Sequence, residues 1–221
     1  MSVYINDPQN KAQACVIWMH GLGADASDMM GLAKELMVTD VALRHVFIDA
    51  PSRPVTLNGG MVMPAWYDIT GTRLLDREDK DGIEQSEQLI RHVIESQHQE
   101  GFDYSQIYLA GFSQGGAMAL HTSLHSEHAL GGVIALSAYL PLAGENHPRL
   151  DKGTAFFIGY GQFDPLVLPA WSEQSRDWLL NRGYADVSCH QYPMEHSICY
   201  EEIKDLSLWL TKQVQGAVSC P

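Results

Sequence analysis

Basic residues are scarce in this 221-residue chain. Fourteen lysines and arginines stand against 27 aspartates and glutamates, a formal net charge of −13. Nucleic-acid phosphates would repel such a surface, and anionic lipid headgroups would not attract it. Cysteine is scarcer still. Cys15, Cys189, Cys199 and Cys220 form no C-x-x-C pair, so neither a disulfide framework nor a zinc knuckle is expected. They fit the reduced thiols of a cytoplasmic protein. No apolar run approaches the roughly 18 residues of a membrane span. Residues 1–8 lack the basic-then-apolar order of a secretory leader. Ser2 is not the glycine that myristoylation needs, and Ser219-Cys220-Pro221 is no prenylation signal. There is no H-E-x-x-H and no cysteine/histidine cluster at ligand spacing, so no metal and no cofactor are expected.

What remains is a globular composition, 45% hydrophobic, long enough for one sizeable α/β domain over residues 1–221. Strand-like apolar runs occur at 14–19, 45–49, 107–111, 132–137, 154–160 and 187–192. Helical patterns fall at 27–36, 82–99, 114–125, 169–180 and 199–214. Short apolar strands alternating with helices predict a mostly parallel sheet covered on both faces. Residues 51–81 break the rhythm. They are rich in turn residues, yet carry Met61, Val62, Met63, Trp66 and Tyr67. Such a segment fits either the wall of a binding cleft or packing over the sheet edge. Its apolar stretch also fits a homodimer contact.

Gly111-Phe112-Ser113-Gln114-Gly115 lies between a strand-like run and a helix-like run. A G-x-S-x-G in that setting predicts a sharp strand-to-helix turn that lifts a serine hydroxyl out of the sheet. Serine is a weak nucleophile at neutral pH. It needs a histidine to take its proton and an acid to orient that histidine. On such sheets these groups sit beyond the carboxyl ends of strands, in the chain order serine, acid, histidine.

Asp164 follows the strand-like run 154–160 through a short turn and fits the acid. Its rivals Asp151, Asp177 and Asp186 lie before a strand, inside a helix and at a strand start. His196 follows the run 187–192 and precedes the last helix. Among ten histidines only His196 has both the order and the strand-end position. An oxyanion needs donors fixed in advance. The backbone N–H of Gln114 is one candidate. The other is Leu22 N–H, freed by the glycines of His20-Gly21-Leu22-Gly23 after the first apolar run, with His20 holding that loop. Gly21-Leu22-Gly23 as a dinucleotide fingerprint is the weaker reading, because no ribose-binding acid stands in the required context.

With these residues in place, the chain resembles the phospholipase/carboxylesterase family of α/β-hydrolases, which includes bacterial carboxylesterases and acyl-protein thioesterases. The resemblance runs through residues 16–25, 50–56, 63–69, 110–120, 132–137, 163–167 and 192–199. It implies the α/β-hydrolase fold, a triad of Ser113, Asp164 and His196, and oxyanion donors on Leu22 and Gln114. It further implies a serine carboxylesterase that cleaves short- to medium-chain esters or thioesters through an acyl-serine. Acyl-protein thioesterase or lysophospholipase activity is the alternative, and a non-catalytic ligand-binding homologue a further one. The expected partner is a small-molecule or lipid acyl ester, with no nucleic acid and no integral membrane association. Its acyl chain would lie against Leu22, Met63, Trp66 and Val167. Two positions depart from the family pattern. Tyr160 stands where a histidine is common, and Glu195 where glycine usually precedes the base.

Overall fold

The architecture is that of a computed structural model, which describes residues 2–71, 77–145 and 152–218. Seven strands form one sheet: β1 (Val3–Asn6), β2 (Ala14–Met19), β3 (Leu43–Ile48), β6 (Ile107–Phe112), β7 (Gly132–Leu136), β8 (Ala155–Gly161) and β9 (Val187–Tyr192). Their order is β1-β3-β2-β6-β7-β8-β9. All neighbours run parallel except β1, which pairs antiparallel with β3. A separate hairpin, β4 (Ser52–Val55) and β5 (Met61–Pro64), stands within the segment expected to be irregular.

The side-chain alternation of the strands divides the core in two. Cys15, Ile17 and Met19 of β2 face one layer, and Ala14, Val16 and Trp18 face the other. The first layer is closed by α2 (Lys80–Gln99), α3 (Gln114–His125) and α4 (Pro169–Asn181). The second is closed by α1 (Ala26–Glu35) and α5 (Tyr200–Val218). Every residue of β2, β7 and β8 is buried, as strands covered on both faces must be.

Local chemistry sets the helix starts. Asp25 caps α1 by accepting from Ser27 N–H at 2.8 Å. Asp79 accepts from Gly82 N–H at 3.0 Å, so α2 begins at Lys80, two residues before the apolar pattern starts. Pro169 opens α4, where a missing N–H costs nothing. Strand order reverses between β2 and β6. The crevice at their carboxyl ends is the place where sheets of this kind bind ligands.

Candidate active site

Ser113 follows β6 and precedes α3 with φ 54° and ψ −119°, a conformation that costs a non-glycine residue energy. The surroundings hold it there. Ser113 N–H donates to the Leu136 carbonyl of β7 at 2.8 Å. Gly115 packs so closely under β2 that a Cβ would collide with the Met19 and His20 carbonyls. At Gly116 a Cβ would stand 2.6 Å from Ala138 Cβ. The glycines therefore permit close approach of helix and strands, and the turn exposes the hydroxyl.

The loops after β8 and β9 are knitted together. Gln162 N–H donates to the Tyr192 carbonyl at 2.7 Å and Phe163 N–H to the Met194 carbonyl at 3.0 Å. This places Asp164 beside His196. His196 Nδ1 lies 2.6 Å from Asp164 Oδ2, and His196 Nε2 lies 2.9 Å from Ser113 Oγ. The Asp164 side chain is fully buried, whereas the imidazole is 15% exposed. Asp164 Oδ1 accepts from the N–H groups of Leu166 and Val167 at 2.8 and 2.9 Å. Its other oxygen is thereby aimed at the histidine. The carboxylate only accepts, so Nδ1 carries the proton and Nε2 is left to receive one from the serine hydroxyl. The structure thus brings together the three side chains singled out in the sequence.

The glycine loop after β2 passes directly over this turn. A Cβ on Gly21 would stand 3.5 Å from Ser113 Cβ and 3.3 Å from the Phe112 ring. His20 is fully buried and bridges two backbones. Its Nδ1 donates to the Gly21 carbonyl at 2.7 Å, and its Nε2 accepts from Ala50 N–H at 2.9 Å. The loop is also tied to β5, since Gly23 N–H donates to the Pro64 carbonyl at 2.8 Å. Leu22 and Gln114 both line the cleft beside Ser113. The start of α3 adds the positive end of its dipole at the same point.

The cleft encloses about 720 Å³. Its walls include Leu57 and Ile69 from the segment around the hairpin, Phe112, Tyr139, Leu166, Leu168 and Trp171. Of the four residues expected to hold the acyl chain, Leu22 is there, while Met63, Trp66 and Val167 are not among the lining residues. Trp66 is fully buried behind the site. Its Nε1–H donates to the His20 carbonyl at 2.9 Å, and its backbone N–H donates to Gln114 Oε1 at 2.8 Å. Gln114 Nε2 in turn donates to the Tyr67 carbonyl at 2.8 Å. Trp66 is therefore a strut that ties the His20 carbonyl, at the start of the glycine loop, to the Gln114 side chain. Val167 is buried and uses its N–H on Asp164, and Met63 sits against Gly23, its sulfur 3.5 Å from where a Cβ would lie. Apolarity and position in a motif did not reveal which side of the loop each side chain takes.

The two unusual positions leave the triad geometry open. The Tyr160 hydroxyl donates to Glu173 Oε1 at 3.0 Å, and Glu195 is exposed. Cys15, Cys189 and Cys199 are free thiols. Burial pushes the Cys15 thiol up to about 12. Cys220 and the rival acid Asp151 lie outside the described residues, as do residues 72–76 of the 51–81 segment. No helix among the described residues is long and apolar enough to cross a membrane.

A parallel sheet with a strained serine turn at its reversal point defines an α/β-hydrolase. The phospholipase/carboxylesterase family model matches residues 2–214. An acyl-protein thioesterase 1 from Yarrowia lipolytica is 34% identical over 91% of this chain and 92% of its own length. One from Aspergillus fumigatus is 36% identical over 96% and 92%. Among solved structures, acyl-protein thioesterase 2 of Zea mays superposes with a TM-score of 0.84 at 24% identity, covering 96% of this chain and 99% of that one. The Bacillus cereus carboxylesterase gives 0.76 at 22% identity, over 96% and 94%. The chain belongs to the phospholipase/carboxylesterase family.

Proposed function

We propose that this chain, acting as one domain, hydrolyses carboxylic esters and thioesters through an acyl-serine. The observation that carries the reading is the hydrogen-bonded series Ser113–His196–Asp164, with separations of 2.9 and 2.6 Å, opening on an apolar cleft. Ser113 Oγ attacks the acyl carbon as His196 Nε2 takes its proton. Asp164 holds the imidazole in the required tautomer and stabilises its charged form. The negative oxygen of the tetrahedral intermediate rests against Leu22 N–H and Gln114 N–H. Collapse expels the alcohol or thiol, to which His196 gives its proton. Water then attacks the acyl-serine with the same imidazole as base, and Ser113 is regenerated.

Short- to medium-chain esters suit a cleft of about 720 Å³, a size typical of small-molecule sites. Depalmitoylation of acylated proteins is the second reading. The relatives named acyl-protein thioesterase 1 and the apolar wall of Leu57, Leu166, Leu168 and Trp171 support it. Comparing kcat/KM for short-chain p-nitrophenyl esters, palmitoylated peptide thioesters and lysophospholipids tests both. Efficient depalmitoylation beside negligible ester turnover would overturn the first in favour of the second. Free thiols at three described cysteines support a cytoplasmic setting. Exposed Leu57, Met61 and Val62 around the hairpin support a homodimer, which light scattering would detect.

A further inference from the structure

A second cluster of polar groups, lining a cavity that shares no residue with the cleft, converges between α2 and α3. Glu87 comes from α2, and His121 and His125 from successive turns of α3. His121 Nε2 lies 3.1 Å and His125 Nδ1 3.8 Å from the same atom, Glu87 Oε2. One ligand atom from each of the three residues fits within a span of 4.8 Å. Adjacent ligand atoms around a tetrahedral zinc, with bonds of about 2.0–2.1 Å, stand roughly 3.3 Å apart. The ligand atoms, between 3.1 Å and 4.8 Å apart, stand near that separation, and a rotamer shift that frees His125 Nδ1 from its 2.9 Å contact with the His121 carbonyl would complete the contraction.

Several further observations point to a cation here. Glu87 and His121 are buried, and a histidine pair spaced i, i+4 on one helix face is a common zinc platform. His121 is only 2% exposed, yet its Nδ1 has no partner among the described residues. The protein satisfies one ring nitrogen, and does so with the very carboxylate that shares the cluster. Arg91 Nη1 lies 3.4 Å from Glu87 Oε1, which leaves Oε2 for the imidazoles. The cluster opens on a cavity of about 270 Å³ that could admit an ion and water. The two cations that face it are offset: Lys80 pairs with Glu84 and Glu145, and Arg91 pairs with Glu127 as well as Glu87.

We propose that Glu87, His121 and His125 form a structural site for a divalent transition cation of the zinc type, bracing α3 against α2. Two histidines and one carboxylate, with water in the fourth position, suit zinc better than calcium or magnesium, which prefer all-oxygen sites. The sequence expectation of no metal arose because ligand spacing along the chain sees only the histidine pair. The carboxylate arrives from 34 residues away, across a helix–helix contact. The bracing role is distinct from the ester chemistry, which needs no metal.

The test uses the whole chain stripped with chelator and titrated with zinc by calorimetry near pH 7.5. Cobalt absorption reports the ligand type. The expected result is one equivalent bound, a thermal midpoint raised by zinc, and a cobalt spectrum without thiolate charge transfer. His125→Ala and Glu87→Gln should each weaken binding tenfold or more, whereas His196→Ala should leave it intact. Both substitutions lie at partly accessible or isosteric positions, and circular dichroism checks that each variant folds. No saturable uptake, equal uptake by the two variants, loss only in His196→Ala, or a thiolate band would each overturn the proposal.

Discussion

Replacing Trp66 with phenylalanine separates two roles that the residue type alone leaves equivalent. If Trp66 is the strut described above, Trp66→Phe removes the indole N–H that reaches the His20 carbonyl at 2.9 Å. The carbonyl is buried, so losing its donor costs about 1–3 kcal/mol. In a chain of this size each kcal/mol moves the thermal midpoint by roughly 2–4 °C, which gives a fall of about 2–12 °C. The catalytic effect follows from the same bond. Losing an oxyanion donor outright costs about 100- to 1,000-fold in kcat. The loop keeps two further tethers, Gly23 N–H to Pro64 and Ala50 N–H to His20. A partial misplacement, about tenfold in kcat, is therefore expected, with KM nearly unchanged because Trp66 does not line the cleft. Steady-state hydrolysis of a p-nitrophenyl ester and a thermal melt measure both quantities. A raised KM with unaltered kcat would place the indole against the acyl chain and refute the reasoning.

Asp164→Asn should leave the fold intact and lower kcat by about 10⁴-fold, because the amide favours the wrong imidazole tautomer; near-normal turnover would exclude Asp164 as the orienting acid. Gly115→Ala should yield protein that fails to fold or melts far lower, since its Cβ has no room beneath the Met19 and His20 carbonyls; a melt matching the parent contradicts the packing argument. Glu202 is fully buried, and burial, only partly offset by the Cys199 backbone N–H, pushes its ionisation up to about 8 from 4.5. Between those values the folded state holds a proton that the unfolded state has released, so this group's contribution to stability falls as pH rises from about 4.5 to 8. Glu202→Gln should flatten that decline, and melting curves of the two proteins that stay parallel across the range would show that Glu202 is not its source.

The central sheet was legible because strands buried on both faces leave uninterrupted apolar runs, such as Ala14–Met19. β1 left no such trace. Its four residues lie exposed at the sheet edge, and pairing with β3 rather than burial makes them a strand. The β4–β5 hairpin was obscured by prolines at both Pro54 and Pro64, tolerated because the two-stranded ribbon leaves one side of each strand unpaired. Ser113, Asp164 and His196 could be singled out because strand ends and chain order restrict where such groups can stand. The cleft wall could not be read the same way. Leu57 and Ile69, Tyr139, and Trp171 come from three separate segments, and no local pattern records that they meet. Trp66 shows the reverse case: an aromatic in a loop looked like a ligand wall and is a buried hydrogen-bond donor.

Intact-mass analysis after exposure to a fluorophosphonate probes the central claim most directly, because only a serine activated by its histidine and facing an oxyanion site reacts readily. One adduct per chain, located on Ser113 and missing from Ser113→Ala, is the predicted result. Folded protein that stays unmodified, or that carries the adduct on another residue, would contradict it.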